Sequence, residues 1–158
     1  MKFLSTLFFL AVLVFGAWPY AYVYRLDVAV AKDDTETLQR LVDLDAVRGE
    51  FKHSLERGVG NTMGTQPSPA LDWLRDGVKR LGAGAIDSMI DLQWVRKTLL
   101  SRSVADPRLG GSFIGDIDFA FFESYDSFIV RIGKLGASPL HVRMTLEGYN
   151  WRVTGIYE

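Results

Sequence analysis

The chain begins with an apolar segment and then changes from a helical to a strand-like alternation of hydrophobic and polar positions. No charged residue stands between Phe3 and Tyr24, and this run is preceded by Lys2 and followed by Arg25. A short cationic start before an apolar stretch is typical of an export signal or a signal anchor. The pattern therefore predicts that the rest of the chain folds outside the cytoplasm.

Two fates are open for this N-terminal segment, residues 1–19: cleavage as a signal peptide or retention as a signal anchor. Its most apolar part, Phe3 to Trp18, reaches about 24 Å as an α-helix. That length suits a signal peptide better than the roughly 30 Å hydrocarbon core of a bilayer. However, the small-residue pattern of a cleavage site is poorly formed, with Gly16 and Ala17 as its best part. Aromatic residues typical of a membrane interface follow, namely Trp18, Tyr20, Tyr22 and Tyr24.

Retention is favoured, so the membrane is the predicted partner of the N-terminal segment. The predicted location is a membrane with the domain outside the cytoplasm. The alternative is release of the domain by cleavage near Ala17. The remainder of the chain, residues 20–158, is predicted to form a single exported domain, because its length suits one core rather than two.

Residues 20–105 form the helical half of this domain. One apolar face is formed by Val23, Leu26 and Val30, and Asp33 with Glu36 predicts a capping box for the next helix. Further apolar positions at helical spacing are Leu38, Leu41, Val42, Leu44, Val47, Phe51 and Leu55. A break is expected between Asp43 and Asp45, because Asp favours caps over helix interiors. Asp43 is placed to cap the helix that begins there and to pair with Arg48.

A predicted loop, Gly58 to Pro69, separates these helices from a second helical block. The apolar positions of that block are Leu71, Leu74, Val78 and Leu81, followed after Gly82-Ala83-Gly84 by Ile86, Met89, Ile90, Trp94, Leu99 and Leu100. Pro107, Gly110 and Gly111 end the helical half, since these residues interrupt helices.

Residues 112–157 form the sheet half, where the hydrophobic period becomes two. The predicted buried positions are Phe113, Ile117, Phe119 and Phe121; then Phe128, Val130 and Ile132; then Leu140, Val142, Met144 and Leu146; and finally Trp151, Val153 and Tyr157. Short turns between these runs predict an antiparallel meander. The predicted fold class is α+β: a signal or anchor helix, then a helical layer packed on a curved four-stranded antiparallel sheet. By analogy alone this is similar to cystatin-like and nuclear-transport-factor-like folds.

Several short motifs resemble a known bacterial family. They are Trp18-Pro19-Tyr20, then Leu26, Ala29, Asp34, Leu38, Val42-Asp43 and Val47-Arg48, and the closing run from Trp151 to Ile156. Together they resemble the exported family catalogued as domain of unknown function 2939. The resemblance implies export and a helix-plus-sheet domain, and it implies no reaction. Because the family is bacterial, it also implies that the domain lies on the inner membrane facing the periplasm, or in the periplasm after cleavage near Ala17. Family members often carry Pro after the Val42-Asp43 pair, where this chain has Leu44-Asp45-Ala46.

Charge and composition exclude several classes of partner and of functional site. The net charge is −1, so no strong field attracts nucleic acid, and no nucleic-acid partner is predicted. Cysteine is absent, which excludes disulfides, thiolate metal sites, a Cys nucleophile and a lipid-modified N-terminal Cys. Neither His53 nor His141 has a companion at metal-ligand spacing, and no phosphate-binding or G-x-S-x-G motif is present. The sequence therefore predicts no catalytic residue, no metal and no cofactor.

Four residues remain as candidates for ligand binding. They are Arg48, Asp116, Asp118 and His141. Arg48 could bind an anion at the mouth of a cleft between helices and sheet. The two aspartates share a strand face, as acid–base or Ca²⁺-binding pairs do, although such a spacing is more often a solvated face. For His141, on the polar side of its strand, a solvated position is favoured too.

Two function classes are consistent with these observations. The preferred one is a noncatalytic, envelope-facing domain that binds a partner protein or a small apolar ligand through its sheet or the helix–sheet cleft. The alternative is a small hydrolase or isomerase in that cleft, using Asp116, Asp118 or His141. The direction of those side chains would discriminate the two, because an enzyme needs them to converge in a pocket.

Overall fold

The computed structural model describes residues 2–58, 76–77, 80, 82–101, 111–134, 136 and 139–157. Its helices are α1 (Lys2–Lys32), α2 (Thr35–Leu41), α3 (Leu44–Gly58), α4 (Ile86–Met89) and α5 (Leu92–Leu100), with short 3₁₀ helices at Ala83–Ala85 and Ile114–Asp116. Its strands are β1 (Ile117–Ser124), β2 (Ser127–Ile132), β3 (Leu140–Glu147) and β4 (Asn150–Tyr157). The fold class is α+β, as predicted.

Helix α1 runs without interruption from the apolar segment into the domain. Its N-terminal half is exposed along Phe3 to Phe15, whereas Leu26 and Val30 are buried in the core. Within the described part of the chain, α1 alone is long and apolar enough to cross a membrane, a property that export signals share. Pro19, which lacks the N–H for one helical hydrogen bond, lies inside the helix where its two environments meet.

Aspartates begin the next helices. Asp34 caps α2, because its carboxylate accepts hydrogen bonds from the Thr37 N–H (3.0 Å) and the Thr37 hydroxyl (2.7 Å). The predicted capping box on Asp33 is therefore wrong by one residue: Asp33 has a φ of 55° and ends α1 instead. Asp43 caps α3 through the Ala46 N–H at 2.9 Å. The predicted break at this point is confirmed.

The second helical block is interrupted where its periodicity predicts continuity. Between α4 and α5 the backbone is extended at Ile90, and Asp91 caps α5 by accepting from the Trp94 N–H at 2.6 Å. Asp at this position offers the backbone a cap in place of a helical hydrogen bond, which explains the break. Of the predicted loop Gly58 to Pro69, only Gly58 is described, and it ends α3 instead of starting a loop. Most of the predicted helical run from Leu71 to Leu81 also lies outside the described residues.

The sheet is an antiparallel meander in the order β1-β2-β3-β4. At the β4 edge, Val42 forms a parallel bridge with Val153, which places the start of α3 beside that edge. The helices contribute to a common core with the inner face of the sheet. Its fully buried large side chains are Leu26, Leu38, Ile86, Ile90, Leu99, Phe113, Phe128, Ile132, Leu140, Met144 and Trp151. The inward positions predicted for β2 and β3 are confirmed.

Two β-bulges change the face of residues that simple alternation misplaces. In β1 the register shifts between Ile117 and Phe119, so Ala120 and Phe122 face the core while Phe119 and Phe121 face outward. The prediction that Phe119 and Phe121 are buried is wrong for this reason, since one extra residue reverses the alternation. A second shift, opposite Arg143 and Met144, turns Ile156 inward and Tyr157 outward in β4.

Candidate functional site

The outer face of the sheet carries a row of four side chains, one from each strand. Phe119 is opposite Arg131, Arg131 is opposite His141, and His141 is opposite Tyr157. Directly opposed residues on one face of antiparallel strands lie close enough for their side chains to interact. The order of the strands therefore assembles the row from residues far apart in sequence.

Side-chain contacts connect this row. The Arg131 guanidinium lies over the Phe119 ring at 5.1 Å and forms an ion pair with Asp118 at 2.6 Å. The His141 and Tyr157 rings are stacked, with centroids 5.4 Å apart and an interplanar angle of 10°. Stacking and cation–π contacts fix the orientation of the rings without covering their outward edges.

A second row runs beside the first and is formed by Phe121, Ile129, Arg143 and Gly155. The Arg143 guanidinium lies over the Tyr157 ring at 5.3 Å and so joins the two rows. It also forms ion pairs with Glu123 at 3.4 Å and with Glu50 of α3 at 4.0 Å. We call the two rows together the outer face. Both of its arginines form ion pairs with carboxylates.

Burial keeps the stacked pair uncharged near neutral pH. Loss of solvent around His141 lowers the pKa of its imidazole below the ordinary value of 6.5, and the nearby charge of Arg131 lowers this pKa further. Loss of solvent also raises the pKa of the Tyr157 hydroxyl above the ordinary value of 10.0. Both shifts favour the neutral ring.

The structure brings two of the four predicted ligand-binding residues together. Asp118 and His141 both adjoin Arg131 on the outer face. Asp116 lies apart from them in the 3₁₀ helix before β1, and its backbone carbonyl accepts the Gly133 N–H at 2.8 Å. Arg48 lies on α3 and is not part of this face: its Nε donates to the Ile90 carbonyl at 3.0 Å.

The predicted pair between Asp43 and Arg48 is wrong. Arg48 forms its ion pair with Asp45 at 3.3 Å, one helical turn before it. The arginine that reaches Asp43 is Arg152 of β4, at 3.5 Å, and it also donates to the Val42 carbonyl at 3.0 Å. Arg152 thereby joins the start of α3 to the edge of the sheet.

Asp27 of α1 is a buried carboxylate that was not predicted from the sequence. Its carboxylate accepts hydrogen bonds from the N–H of Phe113 at 2.7 Å, the N–H of Ile114 at 3.2 Å and the Ser112 hydroxyl at 2.8 Å. The sequence did contain an indication of this site, since the carboxylate of Asp27 lies between the buried residues Leu26 and Ala29. A buried charge requires hydrogen-bond partners. Asp27 binds α1 to the segment that leads into β1.

On the outer face, the described polar side chains contact one another through ion pairs and ring stacking. His141 Nδ1 is buried without a hydrogen-bond partner in the described part of the chain. Among the described residues, no three His, Asp or Glu side chains are grouped as metal ligands. Aromatic rings beside paired arginines are instead typical of protein-binding surfaces.

Comparison with known proteins identifies a family. The sequence model of the family described as "Protein of unknown function (DUF2939)" matches residues 8–98, which is more than half of the chain. The chain therefore belongs to this family, and the resemblance found in the sequence is confirmed. No curated protein matches the chain, and no solved structure matches it either.

Proposed function

We propose that this member of the DUF2939 family is a noncatalytic domain, held in a bacterial membrane by α1 and facing the periplasm, that binds a partner protein through its outer face. The observation that carries the proposal is the pair of outward phenylalanines on β1. Phe119 and Phe121 are 42% and 47% exposed, and their rings lie 4.7 Å apart beside the arginine of the neighbouring strand.

The folded domain uses residues on both sides of the predicted cleavage point, which supports retention of the anchor. Phe15 stacks on Phe122 of β1 with ring centroids 5.7 Å apart, and Trp18 packs against the core. Cleavage near Ala17 would remove the first of these contacts and cut α1 within its continuous length. Export rests on the hydrophobicity of α1, because Lys2 and Arg25 flank the apolar run symmetrically.

The properties of the outer face favour a protein over a small ligand. Burying the exposed half of two phenylalanine rings provides roughly 1–3 kcal/mol of hydrophobic stabilisation in total. Because Arg131 and Arg143 are already paired with carboxylates, a partner needs no large opposing charge. Aromatic and Arg side chains are enriched at interface cores and dominate their energetics.

A small apolar ligand between the helices and the sheet is less well supported. The inner face is filled there by Phe128, Met144 and Trp151, all fully buried. A depression of about 370 Å³ lies along α1 instead, between Leu7 and Trp18, and its apolar lining belongs to the exposed segment. Lipid chains would occupy that position in a membrane.

In-cell photocrosslinking tests the proposal. A photoreactive amino acid replaces Phe121 in the full chain, and a matched variant carries it at Gln39, which is exposed on α2. The expected result is a crosslinked adduct of one defined mass from position 121 and none of that mass from position 39. The adduct should be lost when Phe119 is replaced by Ser in the same chain, because the two rings form one patch.

Thermal unfolding accompanies this test, since Phe119→Ser also removes contacts within the domain. The variant should retain the wild-type unfolding temperature to within a few degrees, as expected for a change on an exposed surface. Identical adducts from positions 121 and 39, or an adduct that persists in the Phe119→Ser chain, would contradict binding through the outer face.

A further inference from the structure

Both tight hairpins of the sheet have their tips at the same end of the molecule. The β1–β2 tip is Tyr125-Asp126 and the β3–β4 tip is Gly148-Tyr149. A hydrogen bond of 2.8 Å from the Leu146 N–H to the Asp126 carbonyl holds the first tip against β3. The connection between β2 and β3, which contains Lys134, is at the opposite end, as a meander requires.

Helix α1 contacts both hairpins with the residues that lie where its apolar segment ends. Phe15 stacks on Phe122 of β1, and the Tyr20 hydroxyl donates to the Ala120 carbonyl at 2.9 Å. On the second hairpin, the Tyr22 hydroxyl donates to Asn150 Oδ1 at 3.0 Å. The two hairpins thus contact α1 between Phe15 and Tyr22, where its apolar segment ends.

Each tip presents a tyrosine that is almost fully exposed. Tyr125 is 77% exposed and Tyr149 is 82% exposed. Large aromatic side chains at tight turns have little reason to face water, whereas tyrosine is enriched at the membrane–water interface because its ring is apolar and its hydroxyl polar. A bilayer surface beside α1 would give these tyrosines such an environment.

We propose that Tyr125 and Tyr149 insert into the interfacial region of the same bilayer that α1 spans. The two tips, with α1, then form a three-point attachment that holds the sheet upright on the membrane. This inference rests on the retained anchor of the proposed function. The occupant is the lipid headgroup region, argued from the continuity of the tips with the contacts made by Phe15 and Tyr22.

The charges around the tips indicate which lipids are needed. Asp126 lies at one tip, Glu147 lies beside the other, and Glu123 is close to the first. Carboxylates gain nothing from an anionic surface, so the attachment depends on aromatic burial rather than on lipid charge. We therefore expect the same insertion into neutral phosphatidylcholine and into mixtures with an anionic lipid.

Spin labelling tests the inference directly, since the chain has no native cysteine. Single Cys variants at Tyr125, Tyr149, Leu10 and Lys134 are labelled with a nitroxide and reconstituted, as full chains, in phosphatidylcholine vesicles. Collision with oxygen, which is concentrated in lipid, is compared with collision with a water-soluble nickel complex. Leu10 of α1 is the reference for the hydrocarbon core, and the exposed Lys134 is the reference for water.

The ratio of oxygen to nickel accessibility at positions 125 and 149 should fall between the ratios at Leu10 and Lys134. Replacing Tyr125 by Ser should shift the label at 149 toward the water value, because the two tips support one orientation. Ratios at either tip equal to that at Lys134, or insertion only with anionic lipid, would overturn the inference. A water-like ratio at Leu10 itself would show instead that the anchor, and with it the proposed function, is wrong.

Discussion

Replacement of Asp27 by Ala should destabilise the fold more than any other polar substitution in α1. Asp27 is 5% exposed, and its Oδ1 accepts the N–H groups of both Phe113 and Ile114. Alanine leaves these two backbone donors without an acceptor. Asparagine is the matched control, because its amide oxygen can occupy the position of Oδ1 while the negative charge is lost.

The loss of stability in Asp27→Ala depends on the two backbone N–H groups that Asp27 accepts. A buried donor left unsatisfied costs about 1–3 kcal/mol, so the loss of the acceptor for two donors in Asp27→Ala should cost roughly 2–6 kcal/mol. The lower part of this range is expected, since removing a buried carboxylate also removes its own desolvation cost. Asp27→Asn keeps two neutral hydrogen bonds in place of charge-assisted ones and should cost about 1–2 kcal/mol. Ser112→Ala, which leaves both N–H bonds in place, should cost about 1 kcal/mol.

Chemical denaturation of the full chain in lipid nanodiscs, followed by tryptophan fluorescence, measures these losses. The expected order is Asp27→Ala, then Asp27→Asn, then Ser112→Ala. Equal losses in the two Asp27 variants would mean that the carboxylate is not the acceptor for the backbone of the 3₁₀ helix, contrary to the observed hydrogen bonds. A loss in Asp27→Ala smaller than that in Ser112→Ala would have the same meaning.

Two further predictions concern the sheet and its edge. In a double-mutant cycle, Asp43→Ala and Arg152→Ala should couple by about 0.5–1 kcal/mol, as expected for a partly exposed ion pair, whereas Asp43→Ala and Arg48→Ala should be additive. Additive losses for Asp43 with Arg152 would contradict the observed pair. The pKa of His141 is lowered in the folded state. As the pH falls through the ordinary value of 6.5, the imidazole therefore binds a proton in the unfolded chain before it does so in the folded chain. The free energy of unfolding should decrease between pH 6.5 and the folded-state pKa. His141→Gln should remove this dependence and His53→Gln should leave it; an unchanged dependence in His141→Gln would refute the assignment.

The sequence predicts those parts of the fold that depend on local periodicity. The alternation in β2 and β3 is uninterrupted, so the burial of Val130, Val142 and Met144 follows from the pattern alone. The break before α3 follows as well, because Asp43 between two apolar stripes has the intrinsic preference of a cap. In each case neighbours in sequence supply the physical cause.

The parts that the sequence could not predict depend on single extra residues or on distant partners. A bulge adds one residue to a strand and so reverses the face of the side chains that follow it. Prediction from simple alternation therefore assigned Phe119, Phe121 and Tyr157 to the wrong face. Asp43 was correctly predicted as a cap, but its arginine partner is separated from it by 109 positions. From spacing along the chain, the predicted partner was Arg48.

The candidate site was predicted in part for the same reasons. His141 was placed correctly on the polar side of its strand, whereas its stacking on Tyr157 requires the register between β3 and β4. Asp118 was recognised, but its ion pair with Arg131 requires the register between β1 and β2. The outer face therefore forms only through the pairing of the strands, which the sequence pattern does not predict residue by residue.

Mass spectrometry of one labelled chain can show whether the domain is retained on its anchor and faces the periplasm. Lys134→Cys is expressed in intact bacteria, exposed to a small membrane-impermeant maleimide, and recovered from the membrane fraction. We expect the chain to be labelled although the inner membrane has not been permeabilised, and the labelled chain to contain residues 2–18. Labelling only after lysis, or a labelled chain that begins after Ala17, would contradict this expectation.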